Sequence, residues 1–241
     1  EATGYGTVYF SDYCLQHRGL AMKGQRCVVS GSGNVSQFAI ELIIKMGGVP
    51  ITCSDSNGYI LIEDGFTAED LAKMMDLKNN KRGRLVDFPA MVPRAKYFPG
   101  ERPWGVPCDL AYPCATQNEI HTADAEALTK GGCKGVFEGA NMPSTPGAIN
   151  EYLTQNYMYG PAKAANAGGV AVSGLEMAQN AAHTAWSREE VDLKLQKIMK
   201  DIFVQCRDAA EEYGQPGNFA MGANIAGFVK VASAMSSQGC V

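Results

Sequence analysis

Gln25-Arg26-Cys27-Val28-Val29-Ser30-Gly31-Ser32-Gly33-Asn34-Val35-Ser36 is the stretch that decides the fold. Residues 25–30 read as a short buried strand centred on Cys27, Val28 and Val29. The glycines at 31 and 33 then interrupt it. Val35 to Met46 follows with Phe38, Ile40, Leu42 and Ile43 at helical spacing, and Gly47-Gly48 stops that helix. Val49 to Ser54 reads as a second strand. Strand, glycine turn, helix, glycine stop and strand make a βαβ unit, whose two strands must run parallel.

Outward from this unit the alternation continues. A helix is expected over Thr3–Arg18, closed at Gly19. Asn57-Gly58 marks a tight turn into Tyr59–Ile62, a small hairpin. Thr67 and Asp70 form a variant capping box for a helix to about Leu77. Phe88–Pro107 holds five of the eleven prolines and reads as a long irregular connection. Strands are expected at Asp109–Tyr112, Gly135–Glu138 and Tyr157–Tyr159, with helices at Asp124–Lys130 and Ala148–Gln155. Beyond Ala162 the pattern is helical: Gly174–Trp186, then Ser187 to about Tyr213, then Ala223 to about Met235. In the middle helix Val191, Leu195, Ile198, Ile202 and Cys206 form the expected apolar stripe. The fold class is α/β and Rossmann-like: a mostly parallel sheet with helices on both faces, followed by C-terminal helices. The whole of 1–241 is one dinucleotide-binding domain, with its core at about 20–165 and the closing helices at about 166–241.

Composition sets bounds on function. Hydrophobic residues are 46% and charged residues 19%, which fits a globular chain. Glycine is high, 27 in 241, or about 11% against a usual ~7%. A net charge of −4 gives no electrostatic footprint for nucleic acid, and no apolar run approaches the ~18 residues of a membrane span. The eight cysteines, at 14, 27, 53, 108, 114, 133, 206 and 240, include no CxxC pair. They are expected to be reduced core residues, and the chain to be cytoplasmic. No metal site is expected. The chain starts at Glu1 without a signal peptide, which reads as a fragment or a processed chain.

Gly31-Ser32-Gly33-Asn34-Val35-Ser36 fits G-x-G-x-x-(small). The first glycine allows the tight turn, the second leaves room for a pyrophosphate, and Ser36 keeps the helix close to the strand. The helix start directs free N–H groups and a positive dipole end at that spot. Asp55, 22 residues beyond Gly33, stands where an acid meets the ribose of a dinucleotide. Three strand ends should face the ligand: Ser54-Asp55-Ser56, Pro113 to Asn118, and Gly139-Ala140-Asn141. Thr116, Gln117, Asn118 and Asn141 there cap helices or serve ribose hydroxyls and a nicotinamide carboxamide. None is a general acid or base. His17 at a helix end, His121 in a capping segment and His183 mid-helix read as structural, and Asp109 and Glu138 have no clear partner. A cofactor site is present without a catalytic group.

These residues resemble the C-terminal half of hexameric glutamate dehydrogenases, microbial NADP type, in the Glu/Leu/Phe/Val dehydrogenase superfamily. The matching blocks are 1–6, 31–37, 113–119, 138–143, 163–179 and 222–231, of which Lys163-Ala-Ala-Asn-Ala-Gly-Gly-Val170 with Ser173-Gly-Leu-Glu-Met177 is the most specific. The resemblance implies reversible oxidative deamination of L-glutamate to 2-oxoglutarate and ammonia. It also implies a homo-hexamer at full length, and catalytic residues supplied by the other half. This chain alone would bind cofactor without turnover. The cofactor contacts implied are Thr3, Gly31, Ser32, Gly33, Asn34, Val35, Ala115, Thr116 and Gln117, with Asn141 and Asn166 near the nicotinamide. Ser173 would be the one substrate contact.

Cofactor choice sets two arguments against each other. Asp55 alone favours NAD, because an acid repels a 2′-phosphate. Ser56, with Lys78, Lys81 and Arg84 downstream, offers a basic cluster that could hold that phosphate. The resemblance, with an Asp-Ser pair and a lysine at Lys78, tips the expectation to NADP, with NAD as the alternative. A stand-alone nucleotide-binding module is the competing reading from another class. A leucine- or phenylalanine-type dehydrogenase is disfavoured by the 163–177 block.

Overall fold

The computed structural model describes residues 1–239; Cys240 lies outside them. The stretch quoted above folds as read. Strand β1 (Arg26–Val29) leads through Gly31–Gly33 into helix α2 (Asn34–Lys45), which returns to β2 (Val49–Pro50), parallel to β1. Three further parallel strands, β6 (Leu110–Tyr112), β7 (Gly135–Phe137) and β8 (Met158–Gly160), complete a sheet of order β2-β1-β6-β7-β8. The connections are α5 (Thr122–Lys130) between β6 and β7, and α6 (Pro146–Thr154) between β7 and β8.

Alternate residues of each strand enter different cores, as the pleat requires. Cys27, Val29, Leu110, Tyr112, Phe137 and Met158 face a cluster completed by α2 and by α1 (Ala2–His17). Val28, Ala111, Val136 and Tyr159 face a second cluster with Leu128 of α5 and Tyr152 of α6. The parallel sheet is therefore covered on both faces. The C-terminal helices join the first cluster. In α9 (Arg188–Glu212) the buried residues are Leu195, Met199, Phe203, Cys206 and Ala210. This corrects the expected stripe, which had Ile198 and Ile202 in place of Met199 and Phe203. Phe203 wins the core position because its ring meets Phe10 of α1 at 5.9 Å and Phe219 of α10 (Phe219–Gln238) at 5.5 Å.

Several expected elements differ. Val49–Ser54 is not one strand: the chain leaves the parallel sheet after Pro50 and continues as β3 (Thr52–Asp55) of a second, antiparallel sheet with β4 (Gly58–Leu61) and β5 (Lys96–Pro99). Thr52 bridges the break, its hydroxyl accepting from Val29 N–H and donating to Val29 C=O, both at 2.9 Å. The expected hairpin forms, with Ser56-Asn57 as its two loop residues. The proline-rich stretch is more regular than expected. It contains α4 (Phe88–Met91) and β5, whose Pro99 is tolerated because β5 pairs on one side only. Helix α3 (Ala68–Met75) has the expected Thr67/Asp70 box and widens into a π-helical turn over Asp76–Asn80. Helix α8 spans Gly168–Ala181, so His183 is not mid-helix; it follows the helix end, exposed, at φ +52°. The seven cysteines at 14, 27, 53, 108, 114, 133 and 206 are free and buried.

Candidate functional site

From β1 the chain runs to β2 on one side, whereas β6 lies on the other. The strand order reverses between β1 and β6, and open α/β sheets bind ligands in the crevice at such a point. Gly31 and Cys114 stand at the carboxyl ends of these two strands. Gly31 has φ +82°, and a Cβ there would come within 2.8 Å of Cys114 C=O. Both facts demand glycine. Gly33 differs: φ is −90° and a Cβ would meet nothing within 4 Å. Neither backbone nor packing requires glycine at 33, so the missing side chain leaves space for something other than protein. Gly33 is also the N-cap of α2 and supplies no side chain to its first-turn amides. An anion fits there.

The turn is held from behind. Gly31 N–H donates to Ser54 Oγ at 2.8 Å, and Gln37 Nε2 donates to Ser32 C=O at 2.8 Å, both out of solvent. Two crevices meet at Val35, Cys114 and Ala115. One, of about 390 Å³, runs along Gly31–Val35 to Ser54 and Asp55. The other, of about 880 Å³, is lined by Thr3, Ala115, Thr116, Gln117, Gly139, Ala140, Asn141, Lys163, Asn166 and Gly169, among others. Thirteen of the expected residues come together around this continuous groove or at its Asp55 end: Thr3, Gly31 to Val35, Asp55, Ser56, Ala115 to Gln117, Asn141 and Asn166. Lys78 joins them through Asp55. Ser173 does not; it is exposed one turn further along α8, with its hydroxyl donating to Gly169 C=O at 3.2 Å.

At the Asp55 end the basic cluster forms. Asp55 Oδ1 accepts from Asn57 N–H at 2.9 Å and Oδ2 from Leu85 N–H at 3.0 Å, and Lys78 Nζ lies 3.8 Å from Oδ2. Arg84 Nη1 donates to Ser56 Oγ at 3.1 Å. Lys81 leaves the cluster to pair with Asp76 at 2.7 Å. Asp55 thus organises the loop and is partly neutralised by Lys78.

Two buried carboxylates that sequence reasoning did not assign shape the other strand ends. Glu119 Oε1 accepts from Ala115 N–H at 3.0 Å and Thr116 N–H at 3.3 Å. Burial pushes its carboxyl above the usual range, against hydrogen bonds from Ser30, Ala115 and Thr116 that pull it back. Glu138 Oε2 accepts from Ala162 N–H at 2.8 Å, and burial raises this group too. Asp109, expected to lack a partner, accepts from Lys134 Nζ at 2.7 Å and from Arg26 N–H at 2.9 Å, at the amino end of β6 and away from the groove. Asn141 is pre-set by Asn166, whose Nδ2 donates to its Oδ1 at 2.9 Å. Lys163, on the short helix Ala162–Ala165, is the one charged side chain lining the wider crevice among the described residues; it donates to Asn224. Its place inside the long specific block was the signal available for it. The groove can bind and orient a long anionic ligand, and its lining provides fixed donors and acceptors rather than a poised acid–base pair.

The family model described as Glutamate/Leucine/Phenylalanine/Valine dehydrogenase matches residues 1–239. The chain belongs to this family. It is 53% identical to an NADP-specific glutamate dehydrogenase of Giardia intestinalis over 244 aligned residues, covering all of this chain and 54% of that protein. It is 51% identical to an NADP-specific glutamate dehydrogenase of Haemophilus influenzae, covering 99% of this chain and 53% of the relative. The crystal structure of Plasmodium falciparum glutamate dehydrogenase superposes with a TM-score of 0.97 at 49% identity, over all of this chain and 52% of that one. The chain therefore spans about half the length of the relatives it matches, and within this family its fold is that of the glutamate dehydrogenases. No helix among the described residues is long and apolar enough to cross a membrane.

Proposed function

We propose that this chain is the cofactor-binding part of an NADP-dependent glutamate dehydrogenase, which interconverts L-glutamate with 2-oxoglutarate and ammonia. The observation that carries this reading is the joining of two features in one groove. The uncapped start of α2 faces the open space at Gly33, and Ser56, Lys78 and Arg84 gather at the groove's far end. The relatives' NADP specificity supports the same choice.

In this reading the first amides of α2 and the Gly31–Gly33 turn hold the diphosphate. Lys78, Arg84 and Ser56 hold the ribose 2′-phosphate by charge-assisted bonds, with Asp55 fixing the loop that carries them. Ala115, Thr116 and Gln117 run along the second ribose. Asn141 and Asn166, already bonded to each other, orient the carboxamide, with Thr3 lining the same crevice beside Gly169. Bound NADP would supply the hydride acceptor, and the other part of the parent protein the proton chemistry. Ser173, exposed beyond the groove, is assigned to the substrate of the assembled enzyme. Titrating the chain with NADPH and NADH tests this reading. It requires tighter NADPH binding and no glutamate turnover by the chain alone. Binding of neither nucleotide, or tighter NADH, overturns it.

A further inference from the structure

The loop that carries Lys78 has a tether that neither cofactor phosphate would touch. Asn79 Nδ2 donates to Gln37 Oε1 at 3.0 Å, and Gln37 Nε2 donates back to Asn79 Oδ1 at 3.0 Å. The same Gln37 amide nitrogen holds Ser32 C=O of the phosphate turn. One buried side chain of α2 is therefore bonded both to the turn and to the loop.

The other links from this loop to the cluster are Lys78 with Asp55, Arg84 with Ser56, and Leu85 N–H with Asp55 Oδ2. Lys78 and Arg84 are groups a 2′-phosphate would engage, so they cannot both bind it and hold the loop unchanged. The Leu85 bond fixes the far end of the loop rather than residues 76–80. Residues 76–80 form a π-helical turn, a local departure from regular helix that needs support. Lys78 Nζ also donates to Gly83 C=O at 3.0 Å, a contact internal to the loop that does not fix it against α2.

We propose that Asn79 is a positioning residue for cofactor preference: paired with Gln37, it sets the Lys78 loop at a fixed distance from the phosphate turn. The inference rests on the cofactor reading above. Without the pair, binding a 2′-phosphate must also order the loop, whereas a ligand lacking that phosphate bears no such cost. Gln37 keeps its bond to Ser32 when Asn79 is shortened, so the turn itself is spared.

The test is Asn79→Ala, alone and combined with Lys78→Ala, titrated with NADPH and with NADH. The expected result is an NADPH Kd raised roughly three- to tenfold, the range for one neutral hydrogen-bonded link, with NADH within about twofold. In the Lys78→Ala background the added substitution should move the NADPH/NADH ratio by less than it does alone, because Asn79 acts largely through Lys78. Equal weakening of both nucleotides would show a merely structural residue and overturn the proposal, as would an unaltered ratio in Asn79→Ala. An unaltered ratio beside an unmodified chain that prefers NADPH sinks only the role of Asn79. An unmodified chain that binds neither nucleotide, or prefers NADH, sinks the cofactor reading along with it.

Discussion

At the phosphate turn, Gly31 N–H meets Ser54 Oγ and Ser32 C=O meets Gln37, both away from water. At the basic cluster, Arg84 reaches Ser56 across exposed surface, and Lys78 stands 3.8 Å from Asp55. The turn is made of backbone groups whose partners are buried, so its shape is part of the fold. The cluster is made of long side chains, Arg84 exposed at the rim and Lys78 half-buried against the buried Asp55 carboxylate, so its shape rests on side-chain pairs rather than on backbone. A part common to dinucleotides can be built in the first way. A part that chooses between two nucleotides can be built in the second.

The sharpest way to break this contrast is to substitute within the turn. Gly31→Val combines a positive φ with an approach of 2.8 Å to Cys114 C=O. Strained backbone of this kind costs about 1–3 kcal/mol before the clash is added. Urea denaturation should show a loss of roughly 3 kcal/mol or more; a loss under about 1 kcal/mol would mean the turn is not bound into the fold as described. Gly33→Val, two residues on, is the counterpart. Its backbone is ordinary and its space open, so stability should fall by no more than about 1 kcal/mol, the preference for glycine over valine at an N-cap. Binding of both NADPH and NADH should weaken about tenfold or more, about 1.4 kcal/mol. Normal affinity in Gly33→Val would refute the assignment of that space to the diphosphate.

At the cluster, Lys78→Ala should lower the denaturation midpoint, though less than Gly31→Val. The buried Asp55 carboxylate loses its ion-pair partner and Gly83 C=O a donor, while Asp55 keeps the amides of Asn57 and Leu85. The substitution should weaken NADPH about tenfold, the scale of one charge-assisted bond, and NADH by less than about twofold. The NADPH advantage should also shrink as salt is raised, because Arg84 is exposed to screening. A ratio unmoved by Lys78→Ala would return the choice to Asp55, which alone favours NAD.

How much of this was legible in the sequence follows the same division. The turn was readable from Gly31 to Ser36 because glycine spacing and helix period are local signals. Ala115 to Gln117 and Asn141 stood at expected strand ends, Thr3 and Asn166 were placed by resemblance, and all meet in the groove. The split of Val49–Ser54 between two sheets was hidden, since strand propensity does not say which sheet a strand joins. Strand β5 was hidden by its prolines, which edge pairing tolerates. The stripe of α9 slipped because Met199 and Phe203 are chosen by aromatic neighbours on α1 and α10, a tertiary fact. Glu119 and Glu138 carried no motif. A buried carboxylate that binds backbone amides looks in sequence like any surface glutamate.

Glu119 gives the finest test, because it links the rigid side of the comparison to pH. Its carboxyl holds the amides of Ala115 and Thr116, and burial raises its pKa above the ordinary 4.5. The charged and titratable neighbours are Arg102, whose guanidinium donates to Glu119 C=O at 2.8 Å, and Cys114, whose thiol burial pushes far up. For an acid whose folded pKa is raised, the folded state binds the proton more tightly than the unfolded state does. Its contribution to stability is complete below the unfolded pKa and is lost as pH rises through the folded one. Glu119→Gln keeps an oxygen that can accept from both amides and removes the titration. The difference in melting temperature between this variant and the parent chain should therefore move in the variant's favour as pH rises from about 4. It should level off once Glu119 is ionised in the folded protein. A difference that is flat with pH, or that favours the parent increasingly on the alkaline side, would show that the amide bonds outweigh burial and that this strand end welcomes the charge.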